Sequence, residues 1–260
     1  HPDLADSLNS IGSLHRTLGD YDRAVYNYSR ALSIQLERLG KEHIALATTY
    51  FNLGQVSYDL VEYSAAQDNF NKALSIQKKH LNLENLDLAR TCNSLGLVYY
   101  KLDNLDLALK CLKEGLDIQS RLLNPNNPAL ATTYNNLGLV HSKKKDYDLA
   151  AHYYKKSLEI AKKAFGNDHS IVMATHNNLA SLYSKTGQFK LAVEHFEQAL
   201  NIEKKLVGME TPEMATILNN IGLAYHRMAE YNIALTYFLD ALRIRLKIFG
   251  ADHADVGNSY

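Results

Sequence analysis

The sequence repeats itself every 42 residues without an insertion. Blocks that begin at His1, His43, Asn85, Asn127, His169 and Thr211 align ungapped, and His253 to Tyr260 begin a seventh. Three columns are invariant across the six blocks. Ala24, Ala66, Ala108, Ala150, Ala192 and Ala234 form the first; Leu32, Leu74, Leu116, Leu158, Leu200 and Leu242 the second; Ile34, Ile76, Ile118, Ile160, Ile202 and Ile244 the third. A side chain held to one size at a fixed period is what a repeated helix-on-helix contact demands, so the period decides the architecture ahead of local propensity.

Inside a block, apolar and small residues recur at helical spacing: Leu8, Ile11, Gly12 and His15, then Ala24, Tyr28, Ala31 and Leu32. Each block therefore reads as a helical hairpin. The break is a short polar turn, "LGDYD" at Leu18 to Asp22 or "KKDYD" at Lys144 to Asp148, placing an acidic or amide residue to cap the second helix. Between blocks, "GKEH", "NPNNP", "GNDH", "GMETP" and "GADH" supply Gly or Asn for a helix C-terminus and Pro2, Pro128 and Pro212 for the next first turn. No alternating β pattern competes. Helices of about 15 to 18 residues are marginal alone in water, so each hairpin must bury its apolar face against its neighbours, giving a one-dimensional stack.

HEAT, armadillo and propeller repeats fall near the same period, and the residue pattern separates them. "LNSIGSLHRTLGDYDRAVYNYSRAL" (Leu8 to Leu32) and "LNNIGLAYHRMAEYNIALTYFLDAL" (Leu218 to Leu242) resemble the tetratricopeptide repeat, with its large residue, Leu-Gly, Tyr, Ala, aromatic and Ala positions in order. "LNNLG/A" in the first helix and "AL.I..K..G..H" in a lengthened second helix look like the light chain of kinesin and its relatives. The resemblance spans the whole chain. It implies an all-α, right-handed α-solenoid (superhelix) of six helix-turn-helix tetratricopeptide repeats plus the start of a seventh, a single domain over residues 1–260. Repeat 3 departs most, with "CNSLG", Leu105, Leu112 and Gly115 at family positions, and looser or re-angled packing is expected there.

Composition narrows the function. Lys plus Arg (28) balances Asp plus Glu (28), leaving no global positive field for nucleic acid or an anionic membrane. No apolar run nears the ~20 residues of a membrane helix, and no leader opens the chain. Cys92 and Cys111 are too few for a disulfide framework, so a reducing, cytoplasmic setting is expected, and the start at His1 reads as an excised fragment. Eleven histidines form no HExxH or Cys/His cluster; His1, His43, His169 and His253 share one loop column and read as caps. Without a phosphate loop, a nucleophile elbow or a dinucleotide fingerprint, no catalysis, metal or cofactor is expected. Tyr28, Tyr154, Phe196 and Phe238 read as core packing, and the Asn27-Tyr28-Ser29 triplet as chance.

A stack of hairpins can present a long surface lined by its first helices. Block positions 8, 11, 12 and 15 make the core stripe, so positions 6, 9, 13, 16 and 17 make a neighbouring one, which the resemblance implies is the concave ligand groove. Position 9 reads Asn9, Phe51, Asn93, Asn135, Asn177 and Asn219. An amide both donates and accepts, so a ladder of them suits the backbone of an extended peptide whatever its sequence. Position 13 adds Leu97, Leu139 and Leu223; position 17 adds Lys101, Lys143, Lys185 and Arg227, while repeat 2 has Asp59 there; Arg90 at position 6 adds a further cation, and Tyr58 and Tyr100 at position 16 are placed to flank an anchor. The asparagines of position 10, Asn136 among them, read as scaffold, hydrogen-bonding between helices.

The expected function is a non-catalytic adaptor that binds an extended acidic-apolar peptide, with no nucleic acid or membrane partner. The alternative is a self-association module or a regulatory arm of an enzyme on flanking sequence, which leaves the oligomeric state open. An RNA-binding repeat is disfavoured by zero net charge.

Overall fold

The structure is a computed structural model that describes residues 2–81 and 84–250. His1, His253 and the start of the seventh repeat lie outside the described residues. Among the described residues the chain forms twelve helices and no strand: α1 (Pro2–Thr17), α2 (Tyr21–Leu39), α3 (Ala45–Asp59), α4 (Tyr63–His80), α5 (Leu86–Lys101), α6 (Leu105–Leu122), α7 (Pro128–Lys143), α8 (Tyr147–Phe165), α9 (Ser170–Lys185), α10 (Phe189–Val207), α11 (Pro212–Arg227) and α12 (Tyr231–Phe249). Each block gives one hairpin of adjacent helices, as its apolar spacing requires. None of these helices is long and apolar enough to cross a membrane.

Contacts divide the chain into two compact units, His1–Asn124 and Pro125–Tyr260, with three hairpins in each. In the first unit every helix packs on the next, and α1, α3 and α5 also touch in sequence; in the second unit α7 touches α9 in the same way. Within each unit, first helices thus approach one another across successive hairpins.

The hairpins close because their helices approach without a side chain between them. A Cβ added at Gly12 would lie 2.7 Å from Tyr28, at Gly54 2.7 Å from Phe70, and at Gly138 2.5 Å from Tyr154. Tyr28, Phe70 and Tyr154 are buried, so the aromatic fills the space that the absent methyl vacates. Repeat 3 packs just as closely: Leu112 is buried, 2.7 Å from where a Gly96 Cβ would be, and Gly115 leaves room for Asn93 Oδ1, 2.6 Å from its own missing Cβ. The looser packing expected from its sequence is absent at these two contacts, since Leu112 closes on Gly96 and Asn93 fills the space beside Gly115.

The intra-hairpin turn is the same six times. The amide of position 20 donates to the carbonyl of position 15, from Asp20 to His15 (2.9 Å) through Glu230 to Tyr225 (3.0 Å), which forces position 19 into the left-handed region. Gly19 and Gly187 take that conformation freely, whereas Val61, Asp103, Lys145 and Ala229 adopt φ of 65°, 64°, 68° and 61°. The capping expectation holds at Asp20, which accepts from Arg23 N at 3.2 Å. It fails at Glu62, Asn104, Asp146, Gln188 and Glu230; Asp146 turns to His141 Nδ1 instead (3.1 Å), and Glu and Gln are a methylene longer than the side chains that cap well. At first-helix starts, Asn85, Asn127, His43, His169 and Thr211 all accept backbone amides, as the loop column predicts for His43 and His169.

Two outcomes follow for stability. Val61→Gly removes a β-branched residue from a positive φ, and denaturant unfolding should show a gain of about 0.5–1 kcal/mol after the entropy cost of glycine; a loss would mean that the Val61 side chain contributes more than its strain. Gly138→Val drives two methyls into Tyr154, and the same assay should show a loss of about 1–3 kcal/mol.

Candidate protein-interaction face

Position 9 is not a uniform ladder. Asn9 is buried at 8% exposure and donates to Thr49 Oγ1 (2.8 Å), whose hydroxyl donates to Gln35 Oε1 (2.8 Å). Phe51 is buried at 6%, with its ring 5.4 Å from that of Phe70 and the Arg90 guanidinium 4.4 Å from its centroid. Both residues are committed to the stack, because the next hairpin brings a partner against them. Asn93 is half-buried against Gly115. Asn135 is half-buried and accepts from Asn178 Nδ2 (2.9 Å), so this position-10 residue bonds between helices as the scaffold reading requires, and it does so through a position-9 partner. Asn177 and Asn219 are half-buried.

Two clefts open on these faces. In the first unit, about 200 Å³ is lined by Arg16, Gln55, Tyr58, Asp59, Ser94 and Leu97, among others. Arg16 and Asp59 form an ion pair of 2.6 Å, and Gln55 donates to Ser94 Oγ at 3.1 Å. The cleft carries no unpaired charge from that couple. The Tyr58 ring packs 5.5 Å from Tyr63, and burial pushes its hydroxyl above the usual range. In the second unit, about 220 Å³ between α9 and α11 is lined by Met173, Asn177, Pro212, Glu213, Thr216 and Ile217. Asn177 Oδ1 is buried there without a hydrogen-bond partner, an expensive state for an acceptor.

The remaining predicted residues are spread along the same helices. Leu97 and Leu139 are half-buried and Leu223 is exposed; Tyr100 is half-buried. Lys101, Lys143 and Arg227 are exposed, and Lys185 reaches Ser142 Oγ at 3.5 Å. Arg90 also pairs with Asp87 at 3.1 Å. Both Arg16–Asp59 and Ser142–Lys185 join position 16 of one repeat to position 17 of the next, so that row bridges hairpins as well as facing solvent.

Sequence reasoning missed Thr49, Gln35, Met173, Thr216 and Ile217, while Ser94 belongs to the position-10 column read as scaffold. A signal existed for the first: Thr49, Thr91, Thr133 and Thr175 recur at one mid-helix position and are all buried, where a hydroxyl needs a partner; Thr49 donates across to Gln35, whereas Thr91, Thr133 and Thr175 donate to the carbonyl four residues earlier in their own helix. Among the described residues, no three His, Cys, Asp or Glu side chains converge as a metal cage.

Hairpins with fixed close contacts and variable uncovered faces define a helical-repeat scaffold. The tetratricopeptide repeat pattern matches residues 3–79, 87–163, 140–205 and 214–255, and the chain belongs to the tetratricopeptide repeat family. No curated protein matches the sequence. Among solved structures it is similar to BtubC (BKLC) from P. vanneervenii, with a TM-score of 0.71, 23% identity, and coverage of 91% of this chain and 92% of that one. It is also similar to the putative kinesin light chain with nearly identical repeats from Podosopora anserina (TM-score 0.67, 20% identity, 80% and 99% covered), and to PilW, a type IV pilus biogenesis factor (TM-score 0.71, 17% identity, 98% and 97% covered). At these identities the likeness establishes a shared fold. That fold is in general a non-catalytic scaffold for protein–protein interaction, and the partner class is protein.

The Asn135–Asn178 bond has a measurable consequence. Asn135→Ala leaves the Asn178 amide without its acceptor, and denaturant unfolding should register a loss of about 0.5–1.5 kcal/mol; an unchanged midpoint would show that the bond contributes nothing net.

Proposed function

We propose that the chain is a cytoplasmic adaptor, in the manner of kinesin light chain-like cargo adaptors, whose first-helix faces hold an extended, acidic-apolar peptide segment of a partner protein. The observation that carries this reading is the cleft between α9 and α11. Met173 and Ile217 supply an apolar floor, and Asn177 brings an acceptor that lacks a partner. A turn of the Asn177 side chain that exposes this oxygen would let a peptide N–H satisfy it, and an apolar side chain beside it would fill the floor. The same geometry serves any sequence with an apolar residue at that step, because the amide reads backbone alone.

Charge then sets preference. Lys143, Lys185 and Arg227 lie toward the C-terminal ends of α7, α9 and α11, where their field favours acidic side chains, while Glu213 at the cleft rim disfavours them locally. A ligand with its apolar anchor at the α9–α11 cleft and its acidic residues further along matches both. In the first unit the Arg16–Asp59 pair neutralises the cleft, so Leu97, Tyr58 and Tyr100 favour an uncharged anchor there. Asn9, Asn93 and Phe51 then act by fixing the helices; Lys101 and Arg90 border the ligand on the first unit, and Asn219, Leu139 and Leu223 border it on the second. The buried thiols of Cys92 and Cys111, pushed up by burial to about 12 and about 11, are inert at neutral pH and suit a reducing compartment.

The test is selection from a displayed library of unstructured peptides. Enriched sequences should combine Asp or Glu with an apolar anchor, and Asn177→Ala should weaken a selected peptide by about tenfold, the worth of one hydrogen bond to an otherwise unpaired buried group. Unchanged affinity in that variant, for a peptide that competes for the same face, would sink the proposal.

A further inference from the structure

Positions 8 and 27 of a block face each other across the hairpin, and in repeats 3, 4 and 5 the two residues are of one kind: Cys92 with Cys111, Tyr134 with Tyr153, His176 with His195. The tyrosines stack with centroids 6.1 Å apart; the histidine rings lie at 5.0 Å, and their Nδ1 atoms approach to 2.8 Å. One tautomeric N–H suffices to make that contact a hydrogen bond. The same spacing has a second chemical meaning. Two nitrogens each about 2.0 Å from one ion lie about 2.8 Å apart when their bonds meet at a right angle, and about 3.3 Å apart at the tetrahedral angle. The spacing of the pair thus matches adjacent corners of a tetragonal ion more closely than those of tetrahedral zinc.

We propose that His176 and His195 form a site for one divalent cation of tetragonal preference, held through the two Nδ1 atoms. His176 is buried at 4% exposure, and the Tyr183 ring stacks 5.4 Å from that of His195, so both imidazoles are held in place. Burial keeps His176 neutral by pushing its pKa down to about 4, and His195 moves in the same direction; a neutral imidazole is the ligand form. A cleft of about 270 Å³, lined by the two histidines, Glu194, Glu197 and Gln198, leads from solvent to the pair. It leaves room for water at the remaining positions. Glu194 and Glu197 favour a cation there, while Lys155 and Lys162 of α8 act on the histidines in the opposite sense. With two protein ligands the site is an exchangeable one, and Cu(II), at the top of the divalent affinity order, is the most sensitive probe of it.

The experiment is titration of the chain with glycine-buffered Cu(II), read by electron paramagnetic resonance. One ion per chain should bind with hyperfine coupling to two imidazole nitrogens. His176→Tyr and His195→Tyr install the residue that the preceding repeat carries at Tyr134 and Tyr153, so each should keep the helical circular dichroism of the parent while weakening copper by about tenfold or more. Copper bound by either folded variant with parental affinity overturns the site. So does a parental spectrum with fewer than two coupled nitrogens, which decides the matter even if a variant fails to fold.

Discussion

The structure depends on one contact made in nearly every repeat: a helix backbone pressed against a large side chain with no Cβ between them. Gly12, Gly54, Gly96, Gly138 and Gly222 face Tyr28, Phe70, Leu112, Tyr154 and Phe238, and an added Cβ would fall 2.5–2.7 Å from the opposing side chain in each case. Repeat 5 carries Ala180 there, buried in one cluster with Phe196, which limits the column to at most a single methyl. Glycine in a helix interior costs about 0.5–1 kcal/mol relative to alanine. The chain accepts this cost because a closer approach lets one large side chain, an aromatic in every hairpin but the third, fill the interior of the hairpin. The angle of the hairpin is then fixed, and so is the surface offered to the next one.

A fixed surface makes the polar bonds between repeats regular as well. Asn9 to Thr49, Arg16 to Asp59, Asn178 to Asn135 and Lys185 to Ser142 each join residues 40 or 43 apart, which is the period give or take a few residues. Acidic loop residues repeat the rule at a shorter offset: Glu42 pairs with Lys79, Asp168 with Lys205 at 2.9 Å and Glu210 with Lys247 at 2.8 Å. These exposed pairs contribute little energy singly. The buried relay through Thr49 and Gln35 matters more, since breaking it leaves polar groups inside the stack without partners.

This regularity explains what was legible in the sequence and what was not. Helix number, hairpin pairing, the glycine column and the His43 and His169 caps follow from period and spacing, because each depends on residues within one block. The burial of Asn9 and Phe51 depends on what the following block brings against them, and a helical wheel assigns an angle without a neighbour. Turn capping failed for a related reason. A position-20 carboxylate is a good cap only when nothing nearby competes for it, and His141, buried at position 15, takes Asp146.

Position 17 shows how far such pairing reaches. As a row of four cations preceded by Thr17 and Asp59, it looks like a ligand-facing stripe that starts at the third repeat. Its residues are also half of a bridge to position 16 of the preceding repeat, and that half must be chosen with its partner. Arg16 is the one strong cation at position 16, and a second cation opposite it at hydrogen-bonding distance would be repelled; Asp59 supplies the opposite charge at 2.6 Å. Ser142, neutral and small, accepts from Lys185 instead. The sign of the uncovered face is thus set repeat by repeat through bonds that also hold the hairpins in register. A change of ligand preference at position 17 therefore requires a matching change 43 residues earlier, or the stack loses a bridge as the face gains a charge.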